Sequence, residues 1–182
     1  MVEKTIEVGL PIIKSFSHGN SYLEMVTQIV ECLSKSREKY VFFCEHDVLY
    51  NPTHFEFTPL RDDIFYYNEN VWRWDYPGSR YITYDRLISL SSLCVNRQFA
   101  YEHFKRRLKA IPKKDRLCRR MGYEPGTKKK RRGGFSDDDF EVWKSREPLI
   151  DIRHSKTFSP RKVNLSDFKH PPTGWQETNE RP

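Results

Sequence analysis

Two acidic side chains, Glu45 and Asp47, flank His46 directly after the apolar run Tyr40–Cys44. The run has no polar alternation, which predicts a strand that is covered on both faces of a sheet. Ligands of open α/β sheets bind beyond the carboxyl ends of the strands, so acids at this position favour a binding site. The alternative interpretation is an exposed strand end whose carboxylates face solvent.

Positive charge is concentrated in one segment of the chain. From Lys105 to Arg132 there are fourteen Lys or Arg residues and two acids, whereas the whole chain carries a formal net charge of +7. We expect a basic helix and a flexible loop over 105–134, which could contact the phosphates of a nucleic acid or a sugar nucleotide, or an anionic surface. The alternative is a solvated helix face followed by a mobile loop. The residues predicted to contact DNA are Lys128, Lys129, Lys130, Arg131 and Arg132.

Longer motifs give a more specific indication than the pair of acids alone. The sequence VFFCEHDVLYNPTHFEF spans 41–57, FYYNENVWR lies at 65–73, PLIDIRH spans 148–154, and TFSPRKVNLSDF follows it. Together these motifs resemble a small family-2-like group of glycosyltransferases with the GT-A fold, many of which phages encode. The resemblance covers residues 38–170.

The resemblance implies an α/β fold, a GT-A-like three-layer sandwich, and transfer of a sugar from a nucleotide-sugar donor to a hydroxyl acceptor. A modified base in phage DNA is an acceptor that would fit the basic segment. Enzymes of this fold place a strand and a helix ahead of the metal motif to bind the nucleobase. Only 44 residues precede Glu45 here, so we expect this N-terminal part to be shortened.

The same resemblance implies a metal site. Sugar transfer releases a diphosphate, and a hard divalent cation held by carboxylate oxygens stabilises its growing negative charge. Asp47 is the first choice as a direct ligand, and Glu45 is expected to reach the metal or the donor ribose. His154 matches a late histidine ligand of this fold, which favours Mn²⁺ over Mg²⁺ because manganese accepts imidazole more readily.

Three further roles follow from the resemblance. The acids at 137–141 match the start of an acid-bearing helix in inverting enzymes, so Glu141 and Asp139 are the candidate general bases. From the residue types themselves, Arg73 is the candidate for holding a donor phosphate or an acceptor group, and the aromatic stretch 65–76 is expected to line an acceptor cleft, because sugars and bases stack on flat rings. The alternatives are ordinary helix N-terminal acids and plain core aromatics.

The hydrophobic periodicity predicts the elements that would position these residues. A helix is expected over 21–36, because Leu23, Val26, Val30 and Leu33 share one face, and a basic helix over 97–110. Further expected elements are short strands at 5–8, 81–84 and 87–95, a helix over 137–144 and a last strand at 149–153. A strand, a helix and the run at 40–44 suggest a βαβ unit.

Composition narrows the class of protein. The aromatic content of 14% argues against a disordered chain, and the scattered spacing of the four cysteines argues against a disulfide framework or a cysteine zinc site. No apolar stretch approaches the roughly 18 residues of a membrane span, and the N-terminus does not have the pattern of a secretory signal. We therefore expect a single domain over 1–182 in the cytoplasm, that of the host cell if a phage encodes it.

Two other classes of function compete with the transferase. One is a nucleic-acid-binding or interaction protein on a degenerate transferase scaffold, which the shortened N-terminal part favours. The other is a metal-dependent nuclease, which would need a closer cluster of carboxylates. The presence of Glu45, Asp47 and His154 together favours the enzyme.

Overall fold

The computed structural model describes residues 22–111, 123–127, 139–155 and 160–182. The chain divides into a helical unit, residues 1–39 and 97–123, and a sheet unit, residues 40–96 and 124–182. The described helices and strands are α1 (Tyr22–Lys35), β1 (Tyr40–Phe42), β2 (Val48–Leu49), β3 (Phe65–Asn68), β4 (Val71–Asp75), β5 (Tyr81–Thr83), β6 (Leu93–Asn96), α2 (Arg97–Ala110), β7 (Phe140–Trp143), β8 (Leu149–Arg153) and β9 (Gln176–Thr178). This mixed content confirms the α/β class.

In the helical unit, α1 and α2 pack on each other through apolar faces. Val26 and Leu33 of α1 and Phe104 of α2 are buried, as the three- and four-residue spacing predicts. Arg107 of α2 is also buried, and its Nη1 donates to the carbonyl of Tyr123 at 2.7 Å. Its guanidinium lies 4.1 Å from the centre of the Tyr123 ring, so the ring and the carbonyl together compensate for burying the charge.

The sheet unit contains two sheets. One has the strand order β1-β6-β3-β7, and the other has the order β2-β8-β4-β5-β9. Strands β3 and β7 are parallel, and so are β4 and β8, whereas the remaining strand pairs are antiparallel.

The two parallel pairs belong to the same two stretches of chain. Only residues 69–70 separate β3 from β4, and residues 144–148 separate β7 from β8. Partners differ in number by 75 in the first pair, as for Phe65 and Phe140, and by 78 in the second, as for Val71 and Leu149. The stretch from β3 to β4 therefore runs beside the stretch from β7 to β8 in both sheets. Both stretches pass from the first sheet to the second at the same level, and we call this point the break.

The nitrogen and the oxygen of the Asn68 side-chain amide both form contacts at this break. Its Nδ2 donates to Ser145 Oγ at 2.7 Å and lies 3.2 Å from His54 Nδ1. Its Oδ1 accepts from the backbone N–H of Asn70 at 3.0 Å and of Ser145 at 3.2 Å. The Asn68 side chain is fully buried, so these four contacts replace the water that the amide loses on folding.

Several sequence expectations need correction. The run at 40–44 is not covered on both faces, because β1 is a half-buried edge strand that pairs antiparallel with β6 and so does not complete a parallel βαβ unit. The helix expected over 137–144 is wrong for its described part: residues 140–143 form β7 beside β3. The strand expected at 87–95 begins only at Leu93. The strand at 5–8 lies outside the described residues.

Among the described residues, neither helix combines the length and the apolar composition that a membrane crossing requires.

Candidate functional site

Asp47 and His154 lie beside each other at the end of β8. The Asp47 carbonyl accepts a hydrogen bond of 2.8 Å from the backbone N–H of Ile152, which places Asp47 opposite the last residues of that strand. His154 Nε2 is 4.0 Å from Asp47 Oδ2, and both side chains are partly exposed. The register that pairs β2 with β8 therefore brings together two residues that are 107 positions apart in the sequence.

Glu45 lies close to these residues but is held differently. Its backbone N–H donates to the Tyr50 hydroxyl at 2.9 Å, and that hydroxyl donates to the carbonyl of Ser91 at 3.0 Å. Desolvation of its carboxyl group, followed by the negative charges of Asp47 and Asp151, raises the pKa of Glu45 to about 7, although the residue as a whole is exposed.

Asp151 is a buried carboxylate that the sequence analysis did not identify. Both of its oxygens lie 3.3 Å from Arg153 Nη1, and Oδ2 lies 3.4 Å from Arg73 Nε. All three side chains are buried, and they lie on the face of β4 and β8 that also carries Val71 and Leu149. The cluster places two guanidinium groups beside one carboxylate, so opposite charges compensate part of the loss of hydration on burial.

Arg73 and Arg153 also form hydrogen bonds with the chain segment that follows β8. Arg153 donates to the carbonyls of Pro160 at 2.6 Å and Arg161 at 3.2 Å, and Arg73 donates to that of Lys162 at 3.1 Å. The described partners of Arg73 are therefore protein groups on the buried side of the sheet. Its expected contact with a donor phosphate stays a prediction.

The candidate general bases lie in the other sheet. Glu141 is exposed on β7, where its partner across the strands is Tyr66, and the Asp139 carbonyl accepts from the backbone N–H of Phe65 at 3.2 Å. Asp47 and His154 adjoin the β2–β8 sheet, so nothing in the described geometry brings the two groups of residues together. The residues Lys128, Lys129, Lys130, Arg131 and Arg132 lie outside the described part of the chain.

The aromatic stretch 65–76 divides into two parts. Its first three residues, Phe65, Tyr66 and Tyr67, are buried core residues of β3, so they do not line a cleft. The part on β4 alternates, and Trp72 and Trp74 are half-buried on the face opposite to Arg73.

The donor set at Asp47 and His154 suits a divalent cation with further ligands. Two neighbouring octahedral ligand atoms with metal bonds of about 2.1 Å lie about 3.0 Å apart, so Asp47 Oδ2 and His154 Nε2, which are 4.0 Å apart, would have to approach by about 1 Å to bind one cation. In the described residues, no group of three His, Cys, Asp or Glu side chains forms a metal site, so Glu45 does not complete the expected trio. One carboxylate and one imidazole fit Mn²⁺ whose remaining ligands are water and phosphate oxygens.

Comparison of this chain with family models, with curated proteins and with solved structures finds no match.

Proposed function

We propose that this protein is a metal-dependent glycosyltransferase of the GT-A type, which moves a sugar from a nucleotide-sugar donor to a hydroxyl acceptor. The observation that carries the proposal is the approach of Asp47 Oδ2 and His154 Nε2 to 4.0 Å across two strands. A carboxylate and an imidazole that converge from separate elements are a suitable pair of ligands for Mn²⁺.

The proposed function gives each candidate residue a separate role. Asp47 and His154 would hold Mn²⁺ or Mg²⁺, and the bound cation supplies Lewis-acid stabilisation of the departing diphosphate. Glu45 is the candidate for reaching the donor ribose. Glu141 and Asp139 remain candidates for the general base that activates the acceptor hydroxyl, and Arg73 for a contact with the donor.

The experiment compares the thermal stability of the full chain with and without MnCl₂ and a nucleoside diphosphate. A ligand that binds only the native state raises the melting temperature in proportion to the logarithm of its concentration. We expect Asp47→Asn and His154→Gln each to abolish the shift caused by Mn²⁺ and any release of sugar from a nucleotide sugar. The matched controls are Asp63→Asn and His170→Gln, which change exposed residues of the same types. An unchanged Mn²⁺ shift in both site variants would contradict the proposal.

A nucleic-acid-binding protein on a degenerate scaffold is the second candidate, and the concentration of fourteen basic residues between Lys105 and Arg132 favours it. Replacing Lys128–Arg132 by Ser or Gly tests it. We expect duplex DNA binding to weaken at low salt, and the slope of log affinity against log salt to fall by roughly 0.9 for each phosphate contact that is lost. Binding that does not respond to the replacement would contradict this function. If the acceptor is a modified base in phage DNA, one protein would have both the transferase activity and the DNA binding.

A further inference from the structure

Three aromatic side chains contact one another on the sheet that contains β8, and we call them the aromatic ledge: Trp74 on β4, Tyr81 on β5 and Tyr76 between these strands. The rings of Trp74 and Tyr81 are nearly parallel, with 5.8 Å between their centres and 19° between their planes. Tyr76 meets the Trp74 ring edge-on at 5.1 Å and is 46% exposed. The ledge therefore has one exposed ring, Tyr76, and two partly exposed, nearly parallel rings, Trp74 and Tyr81.

Hydrogen bonding fixes the central ring of the ledge. Trp74 Nε1 donates to the carbonyl of Gly78 at 2.5 Å, which sets the rotation of the indole. The strand partner of Trp74 is Tyr81, so the backbone ladder fixes their spacing as well. A surface whose rings are already oriented binds a flat ligand with less loss of side-chain entropy.

The ledge and the Asp47–His154 pair lie on one face of the sheet. Trp74 is the strand partner of Ile152, and Ile152 is bonded through its backbone to Asp47, so these three side chains point to the same side. His154 follows Ile152 by two residues, which keeps it on that side. Arg73 and Asp151 belong to the opposite, buried face.

The spacing fits one molecule that touches both places. Residues along a strand are about 3.3 Å apart and neighbouring strands about 4.8 Å, so the backbone of Trp74 lies about 8 Å from that of His154. A ribose and one phosphate group span a gap of this size. A molecule with a flat ring at one end and a diphosphate at the other would stack on the ledge while its phosphates reach Asp47 and His154 through a cation.

We infer that the aromatic ledge is the stacking site for the base of a nucleoside diphosphate. This inference rests on the proposed function, because the phosphates are placed by the cation at Asp47 and His154. The base contributes a π-face, which stacks on aromatic rings whatever its identity.

The test compares uridine diphosphate and inorganic pyrophosphate by calorimetric titration of the full chain in MnCl₂. Pyrophosphate has the phosphates without the ribose and the base, so the ratio of the two affinities measures the contacts of the nucleoside, and the ledge variants separate the base from the ribose. We expect uridine diphosphate to bind about five- to one-hundred-fold more tightly than pyrophosphate. Trp74→Leu and Tyr76→Ala should reduce this ratio toward one without changing pyrophosphate binding. Trp74→Phe, which keeps a flat ring and loses the bond to Gly78, should keep most of the ratio.

Phe55→Ala is the matched control, because Phe55 is 47% exposed elsewhere in the sheet unit. Equal affinities of the wild type for the two probes would overturn the ledge and leave the metal site standing. Equal weakening of both probes by Trp74→Leu would assign Trp74 a structural role and would also overturn it. If the wild type binds neither probe, the proposed function fails and the inference falls with it.

Discussion

Replacing Asn68 by alanine should destabilise the sheet unit by far more than an ordinary polar substitution. The buried backbone N–H of Ser145 and the Nδ1 of His54 lose their partner, and an unpaired buried polar group costs about 1–3 kcal/mol. The N–H of Asn70 is only partly buried, so water replaces its lost acceptor at a cost of about 0.5–1 kcal/mol. We therefore expect Asn68→Ala to lower the free energy of unfolding by about 3–5 kcal/mol.

The assay is urea unfolding followed by tryptophan fluorescence, since Trp143 lies next to the break and stacks on His54 with 5.4 Å between ring centres. Asn51→Ala is the matched control: the Asn51 side chain accepts one hydrogen bond, from the backbone N–H of Thr53, and its loss should cost about 1 kcal/mol. Hydrogen exchange of the Ser145 amide gives a local measurement, and its protection should fall most. If Asn68→Ala lowers the free energy of unfolding no more than Asn51→Ala does, the hydrogen-bond argument is wrong.

Three further predictions concern other parts of the molecule. Burial lowers the pKa of His54 to about 4, so between pH 6.5 and 4 the unfolded state binds a proton that the native state does not. The free energy of unfolding should therefore fall by up to about 3 kcal/mol as the pH is lowered across this range. In melting temperatures measured over a pH series, His54→Phe should remove this part of the decrease. In the helical unit, Arg107→Met should cost about 2–3 kcal/mol in urea unfolding, because it removes a buried charge-assisted hydrogen bond, whereas the exposed neighbour Arg106→Met should cost under about 0.5 kcal/mol. Gly174 has φ +65°, and a Cβ there would overlap the Asp85 carboxylate. Gly174→Ala should therefore lower the melting temperature, and adding Asp85→Ala should restore only the steric part of the loss.

The sequence was sufficient for elements whose signals are local. The four-residue spacing on 21–36 and 97–110 predicts both helices, since an amphipathic face is visible without knowledge of its partner. The strand at 149–153 was also predicted with its observed bounds. In each case, the residues that define the element lie within a few positions of one another.

The errors arise where pairing over long distance decides the structure. The acids at 137–139 suggested a helix start, but Phe140–Trp143 pairs with β3, and this ladder outweighs local preference. An apolar run such as 40–44 does not distinguish a buried parallel strand from an edge strand. Asp151 was missed for the same reason, because its partner Arg73 is set by the register of β4 and β8.

The candidate site shows the same difference between what local sequence signals predict and what long-range strand pairing decides. The motifs around Glu45 and His154 predicted which residue types to examine, and Asp47 and His154 do approach each other. Their approach depends on the β2–β8 ladder, which no local pattern encodes. The ledge residue Trp74 and the core residue Tyr67 belong to one aromatic stretch, and only the break between β3 and β4 separates their roles.

The segment 144–148 carries three more residues than the register of the first parallel pair would require, because partner numbers differ by 75 before it and by 78 after it. Side chains alternate along a strand, so a slip of β8 by one residue against β4 would exchange the faces of Asp151 and Ile152. The arginine-bound carboxylate would then lie on the side of Asp47, and an isoleucine would lie between the buried arginines. A change in this segment that shifts β8 by two residues would keep Asp151 on the buried face, whereas a shift by one residue would not.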